Sequence, residues 1–125
     1  MKPLTLEWVA KGEGDYRVVL LLMRAKQPVH DAICYHAQQC VEKYLKAWLI
    51  EQGMPAPKIH DLETLVKLCL PSMQELSFHI DGARYLSVFA VEVRYPGSFA
   101  GESEARASLK LVRSIRKLLR TKLNI

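Results

Sequence analysis

Polar side chains follow one edge of residues 29–52, a stretch whose apolar spacing predicts a long helix. These side chains recur at intervals of three and four positions: His36, Gln39, Lys43 and Lys46. At about 100° per residue they fall within roughly a quarter-turn of the helix. An imidazole, an amide and two ammonium groups converging there would bind a phosphate or the edge of a base. The alternative is a solvated border on which Glu42 and Lys46 form an ordinary ion pair one turn apart.

A second set of candidate residues gives the last predicted helix, residues 102–122, a basic face. Its members are spaced four, three, four and three positions apart: Arg106, Lys110, Arg113, Lys117 and Arg120. Such a face would hold a row of phosphates, with an affinity that falls steeply as salt rises. No aromatic side chain interrupts the face, which argues against base stacking on it. The alternatives are a solubilising outer face and a surface that docks an acidic protein.

A third candidate lies where the fourth predicted helix ends, at Arg94-Tyr95-Pro96-Gly97. Pro96 disfavours helical geometry at Tyr95, so Arg94 leaves the helix beside a tyrosine. This pair would clamp a phosphate or the carboxylate of a partner. A plain helix end, in which Arg94 binds the last carbonyls and Tyr95 packs, is an equal alternative. His60 is a further candidate for ligand binding, although its place before the predicted cap Asp61 also suits a role in starting that helix.

Several kinds of catalytic centre are disfavoured. The four histidines show no close metal-binding spacing, and Cys34, Cys40 and Cys69 form no Cys-x-x-Cys pair. We therefore expect neither a metal nor another cofactor, and we expect the three thiols to be buried as small hydrophobic groups. The sequence also has no phosphate loop of the Gly-x-x-x-x-Gly-Lys type and no Gly-x-Ser-x-Gly elbow.

The apolar pattern predicts the helices that position these groups. They are expected at residues 4–26, 29–52, 61–69, 81–93 and 102–122, with a short helical piece at 72–79. The second helix has the most regular core face: Ile33, Ala37, Cys40, Val41, Tyr44, Leu45 and Trp48. Asp61 is placed to cap the third helix, and Gly53 to end the second. Long helices with short connections predict an all-α, four- to five-helix, up-and-down antiparallel bundle.

Composition and charge bound the remaining possibilities. The 125 residues, half of them apolar and a quarter charged, suit one soluble domain over residues 1–125. The longest apolar run, residues 18–23, is far shorter than a membrane span, and residues 2–15 carry charges unlike those of an export signal. We therefore expect a cytoplasmic protein with no membrane contact. Seven of the 18 basic residues and none of the 13 acidic ones follow Ala105, so this segment favours an anionic partner.

Four motifs occur in a distinctive order along the chain. They are the run HAQQCVEKYLKA at residues 36–47, then Gly53, then His60-Asp61-Leu62, then Arg94-Tyr95-Pro96. Together they resemble the HEPN family (higher eukaryotes and prokaryotes nucleotide-binding domain), in its small stand-alone prokaryotic type. The resemblance implies a helical bundle that usually forms a homodimer and associates with a nucleotide or RNA. It also implies a minimal nucleotidyltransferase as partner, commonly in a toxin–antitoxin couple.

The same resemblance raises the question of catalysis. Many HEPN proteins are metal-independent ribonucleases that use an arginine and, four to six residues beyond it, a histidine. Here Tyr-Pro-Gly-Ser-Phe-Ala follows Arg94, and no histidine occurs after His79. We therefore expect a non-catalytic member that binds a nucleotide or a protein partner. The alternative is a ribonuclease toxin whose composite site combines Arg94 with His36 or His60.

Apolar residues outside the predicted core faces bear on oligomeric state. Ile50, Leu111 and Leu118 are expected to stay at the surface. Exposed apolar patches often mark interfaces, so these positions favour a homodimer.

Overall fold

The computed structural model describes residues 1–91 and 96–125, and helices account for most of that part of the chain. The α-helices are α1 (Pro3–Met23), α2 (His30–Glu51), α3 (Leu62–Cys69), α4 (Ile80–Ser87) and α5 (Glu102–Leu123). Two 3₁₀ segments, Gln74–His79 and Val88–Ala90, lie before and after α4. The predicted all-α helical bundle is therefore confirmed.

The helix ends have the local chemistry that the sequence predicts. The Asp61 carboxylate accepts a hydrogen bond from the Thr64 backbone N–H at 3.1 Å, and this caps α3. Gly53 follows α2 with a φ of +86°, a left-handed conformation that glycine adopts without a steric penalty. Glu104 accepts from the Gly101 backbone N–H at 2.7 Å and so satisfies a donor at the start of α5.

Helix α2 is the central element of the bundle. Every residue of its predicted core face is buried, and α1, α3, α4 and α5 all pack against it. The spacing of the last helix also predicts an inner stripe, and in α5 all of its residues are buried: Ala105, Ser108, Val112, Ile115 and Leu119. The three cysteines are free thiols within this core, as the sequence predicts. Residues on the edges of α2 are therefore held in fixed positions by the packing around it.

Side-chain contacts give the directions of the helices. Helix α1 is antiparallel to α2, because Thr5 binds Glu51 at one end and Asp15 contacts His36 nearer the other. The connection between α2 and α3 departs from the alternating, antiparallel order of an up-and-down bundle. Residues 52–61 are non-helical, and they bring His60 back beside Gln38, in the middle of α2. Prolines within this connection prevent a helix there. Cys69, at the end of α3, donates to the Leu45 carbonyl at 3.7 Å, further along α2 than Gln38, so α3 runs alongside α2 in the same direction.

A glycine lets α1 and α2 approach closely. A Cβ at Gly12 would lie 3.1 Å from a ring carbon of Tyr44, which is closer than ordinary van der Waals contact. The sequence alone suggests only that Gly12 weakens α1, since glycine is a poor helix former. The structure shows a packing role, because this position brings the α1 backbone against a large ring of α2.

The apolar residues expected at the surface lie elsewhere. Leu111 and Leu118 are half-buried against the core, and Ile50 is half-buried where the C-terminal end of α2 meets the start of α1. These three residues therefore do not form the exposed patch on which the homodimer was predicted. Within residues 1–91 and 96–125, none of the helices combines the length and the apolarity that a membrane span requires.

Candidate functional site

Asp15, a carboxylate of α1, contacts two of the predicted site residues, His36 and Lys43. Asp15 is nearly buried, and its Oδ1 lies 2.7 Å from His36 Nδ1 while its Oδ2 accepts from Lys43 Nζ at 2.5 Å. Because a carboxylate accepts hydrogen bonds, His36 donates from Nδ1, which leaves Nε2 as the ring nitrogen that would meet a ligand. The charge of Lys43 is compensated by the same carboxylate.

A second carboxylate, Glu42 of α2, contacts two other predicted site residues, Lys46 and His60. Glu42 accepts from Lys46 at 3.0 Å and lies 2.9 Å from His60 Nδ1; the Glu42 and Lys46 side chains are each only 5% exposed. Lys46 also lies over the Trp8 ring, 5.6 Å from its centroid. Lys46 was predicted at a polar edge open to ligands, and this prediction is wrong. The ion pair with Glu42 exists as the alternative proposed, but it is buried rather than solvated.

Hydrogen bonds set the ionisation of Glu42. Burial raises the pKa of this carboxyl group, but hydrogen bonds from His60, Lys46 and Gln38 outweigh it, and the pKa lies below its ordinary value of 4.5. Glu42 is therefore a carboxylate at neutral pH. His60 donates to it from Nδ1, which leaves Nε2 of this exposed ring to meet a ligand.

A buried amide joins the polar groups along α2. Gln38 is fully buried and donates to Glu42 at 3.1 Å and to the His60 carbonyl at 3.2 Å. Its own carbonyl oxygen accepts from Gln39 at 2.7 Å. The edge of α2 therefore carries two carboxylate-centred clusters, one around Asp15 and one around Glu42. Since each holds one lysine against one carboxylate, the edge has little net positive charge to offer a phosphate.

A cleft opens beside this edge. Tyr35, Gln39 and His60 line it together with Ala90 and Val91 at the end of the second 3₁₀ segment, and its volume is about 170 Å³. Small-molecule pockets usually measure ~300–1,000 Å³. The cleft is thus sized for one moiety of a ligand. Two of the predicted site residues, Gln39 and His60, meet in it.

The structure does not describe two other predicted site residues. Arg94 and Tyr95 lie outside the described residues, which end at Val91 on this side of the cleft. Val93, expected on the core face of the fourth helix, lies outside them as well.

A third polar cluster joins α1, α2 and α5. Glu13 accepts two hydrogen bonds from Arg116, each 2.6 Å long, and a third from the Tyr44 hydroxyl, also at 2.6 Å. Arg120 donates to the same hydroxyl at 3.0 Å. Hydrogen bonding from Arg116 holds the pKa of Glu13 below its ordinary value despite the opposing effect of burial. Burial raises the pKa of Tyr44, so its hydroxyl stays protonated and donates to Glu13.

The predicted basic face of α5 is divided by these contacts. Arg120 points toward Tyr44 and Glu13, so its expected place on an outer face is corrected. Arg106 is exposed but donates to Glu102 one turn earlier, at 2.8 Å. Lys110, Arg113 and Lys117 are exposed, and no carboxylate among the described residues pairs with them. The uncompensated positive charge of α5 is therefore concentrated on these three residues.

The order of the polar motifs along this helical bundle agrees with a known family. In a comparison with family models, the HEPN domain matches residues 5–122 of the 125-residue chain. The chain belongs to the HEPN domain family. Among the curated proteins and the solved structures compared with it, none matches this chain. Membership of this family supports a nucleotide-binding or ribonuclease-like protein.

Thiol chemistry has little support in this HEPN domain. Burial raises the pKa of Cys34 and Cys40, and it raises that of Cys69 to about 12. Thiols that stay protonated are poor nucleophiles. Among the described residues, no group of three or more histidine, cysteine or acidic side chains is placed to hold a metal ion.

The sequence prediction missed Asp15, Gln38 and Tyr35. Asp15 did carry a signal, since it falls four positions before Val19 on the buried face of α1, where a carboxylate requires a polar partner. Gln38 lies between Ala37 and the cleft residue Gln39, and only the return of residues 52–61 explains its burial. Tyr35 had no comparable signal, because its position in the cleft depends on the end of the second 3₁₀ segment.

Acid should destabilise this HEPN domain in a defined pH range. The pKa values of Glu13 and Glu42 are lower in the folded protein than the ordinary 4.5. Groups shifted in this direction contribute stability that is fully present above the unfolded pKa and is lost as pH falls through the folded pKa. Urea titrations above and below pH 4.5 should show the free energy of unfolding falling on the acid side. In the Glu13→Gln variant the free energy of unfolding should fall less steeply with decreasing pH than in the parent protein. An equally steep fall would contradict the contribution assigned to Glu13.

Proposed function

We propose that this HEPN domain is a non-catalytic protein that binds a nucleotide in the cleft beside α2. The observation that carries this proposal is the meeting of Tyr35, Gln39 and His60 in one cleft. An aromatic ring, an amide and an imidazole provide the stacking surface and the hydrogen-bonding groups that recognise a nucleobase. Family membership supports the same ligand class.

The hydrogen bonds around the cleft fix the groups that face a ligand. Gln39 donates one hydrogen of Nε2 to Gln38, so its amide keeps a second N–H and its carbonyl oxygen for a ligand. This donor–acceptor pair matches the edge of a base such as adenine. His60 is anchored through Nδ1 by Glu42. The volume of about 170 Å³ suits a base, with the ribose and phosphates outside the cleft.

The phosphates need a cation that the two carboxylate clusters do not supply. Lys43 and Lys46 are paired with Asp15 and Glu42. We therefore assign the phosphates to Arg94, with Tyr95 beside it, as the sequence predicts. Arg94 follows the cleft residue Val91 by three positions in the sequence.

Titration with a nucleoside triphosphate, followed by amide chemical shifts, tests this assignment. Shifts are expected at Gln39 and His60. Gln39→Ala should weaken binding about ten-fold, the equivalent of ~1.4 kcal/mol. Gln27→Ala removes an exposed glutamine outside the cleft and serves as the matched control. Unchanged shifts at Gln39 and His60 with millimolar ligand would remove the proposal.

The partner is a separate element of the proposal. We propose that the protein forms a homodimer and pairs with a minimal nucleotidyltransferase in a toxin–antitoxin couple, and the family resemblance supports this. Co-expression with a small nucleotidyltransferase encoded beside it, followed by light scattering, is the direct test. A stable complex is the expected result. A monomer at micromolar concentration that forms no complex would contradict both the homodimer and the pairing.

A metal-independent ribonuclease is a second candidate function, favoured by one specific observation. His36 and His60 are each anchored through Nδ1 by a carboxylate, at 2.7 and 2.9 Å. Anchored imidazoles with Nε2 turned outward are suited to proton transfer during attack by a ribose hydroxyl. Incubation with RNA in the presence of a chelator decides between the two functions. Cleavage that is lost in His36→Ala or His60→Ala, but kept in His79→Gln, would favour the ribonuclease.

A further inference from the structure

A groove outside the α2 cleft combines size with positive charge. It lies between the end of α1 and α5, is lined by Met23, Arg106, Leu109, Lys110, Arg113 and Ser114, and has a volume of about 370 Å³. Its lining residues come from α1 and α5, whereas the cleft residues come from α2, the connection before α3 and the end of the second 3₁₀ segment. The two sites share no residue.

Most of the cations that line the groove have no carboxylate partner among the described residues. Three of its lining residues are cations, and one of them, Arg106, pairs with the carboxylate of Glu102. Within residues 1–91 and 96–125, Lys110 and Arg113 have no acidic partner. Arg24 and Lys26 follow Met23 and are exposed, so the end of α1 adds further positive charge near the groove. An anion bound here would meet cations that need not first leave another partner.

The exposed side chains of this surface distinguish between two anionic partners, an acidic protein and a nucleic acid. Most of the binding energy of a protein interface comes from a few anchors, chiefly aromatic side chains and arginine, packed among apolar contacts. The large hydrophobic side chains that are exposed in the described residues do not include any on α5. The cations Arg106, Lys110, Arg113 and Lys117 are ~4.5–6 Å apart along the helix axis. A row of phosphates on an extended strand can therefore contact them in succession, and the apolar lining residues Met23 and Leu109 are half-buried rather than exposed.

We propose that this groove and the adjoining Lys117 bind the phosphodiester backbone of single-stranded nucleic acid. Arg113 presents a guanidinium fork to a phosphate, Lys110 supplies a second point of attachment, and the Ser114 hydroxyl adds a neutral donor. The α5 surface offers no aromatic platform, so binding is independent of base sequence. This surface role is independent of nucleotide binding in the α2 cleft.

Fluorescence anisotropy with a labelled single-stranded RNA of mixed sequence tests the proposal. Lys110→Gln/Arg113→Gln should reduce the slope of log affinity against log salt by ~1.4, since each contact with a single strand contributes ~0.7. If the variant and the parent bind equally at 1 M salt, this difference in slope makes the variant bind roughly 25-fold more weakly at 0.1 M. Lys11→Gln/Lys58→Gln removes the same charge from exposed positions outside the groove and should leave the affinity near that of the parent.

Several outcomes would overturn the proposal. They are equal weakening by the two double variants, no binding of RNA by the parent at 0.1 M salt, and tighter binding of a poly-glutamate peptide than of RNA. Circular dichroism of each variant confirms that the fold is retained. Nucleotide-induced shifts at Gln39 and His60 report on the α2 cleft, so failure at one site is distinguished from failure at the other.

Discussion

Replacing Glu42 with alanine should lower the free energy of unfolding by about 3–5 kcal/mol. Lys46, which is only 5% exposed, would then keep its charge in the protein interior without the carboxylate that compensates it. The variant also leaves the buried amide of Gln38 without one of its acceptors. Urea-induced unfolding followed by circular dichroism measures the loss.

A second glutamate offers a matched control for this prediction. Glu63 pairs with a lysine one turn away, Lys67, and with Arg84, but these two partners are 61% and 57% exposed. Glu63→Ala should therefore cost about 1 kcal/mol, well below the loss in Glu42→Ala. The double variant Glu42→Leu/Lys46→Met removes both buried charges and should recover most of the stability lost in Glu42→Ala. Equal losses in Glu42→Ala and Glu63→Ala would contradict the role of burial.

The second large effect is expected at Tyr44. Its side chain is fully buried, lies against Gly12 of α1 and donates to Glu13. Tyr44→Ala should cost about 3–5 kcal/mol, because it removes a large ring from the centre of the bundle and leaves a cavity. The measurement is the same urea titration, and an unchanged slope against urea would show that the folded and unfolded states keep their compactness.

The phenylalanine variant separates packing from hydrogen bonding. Tyr44→Phe keeps the ring but removes the hydroxyl that donates to Glu13 and accepts from Arg120. Its cost should be about 1–2 kcal/mol, since Arg116 continues to satisfy Glu13. In a double-mutant cycle with Glu13→Gln, the two changes should be non-additive. A loss in Tyr44→Phe as large as that in Tyr44→Ala would contradict the packing role of the ring.

These predictions concern residues of α2 that link the core to the candidate site. Glu42 compensates Lys46 inside the bundle and anchors His60 at the edge of the cleft. A change in Glu42 should therefore affect stability and nucleotide binding together. Gln39→Ala separates the two, because Gln39 is only half-buried and lines the cleft directly.

Local sequence patterns predicted much of the fold. The spacing of apolar residues identified the buried faces of α2 and α5, because a helix in water must cover one stripe. Asp61 and Gly53 marked helix ends, because capping depends on atoms within a few residues. Such signals did not show that residues 52–61 bring His60 back to the middle of α2, since a non-helical connection does not encode its direction.

The sequence by itself determined the helical class, the core faces, the positive charge of the last helix and, through the order of its motifs, the family. Tertiary structure decided which of the polar groups keep an uncompensated charge. The sequence offers no carboxylate partner for Lys43 and only an alternative one, Glu42, for Lys46, but each lysine is paired with a carboxylate in the folded protein. Lys110 and Arg113 are also cations, and they stay at the surface without an acidic partner among the described residues. The physical reason is that helical spacing fixes the direction of a side chain, whereas its charge balance and solvation depend on residues that only folding brings near.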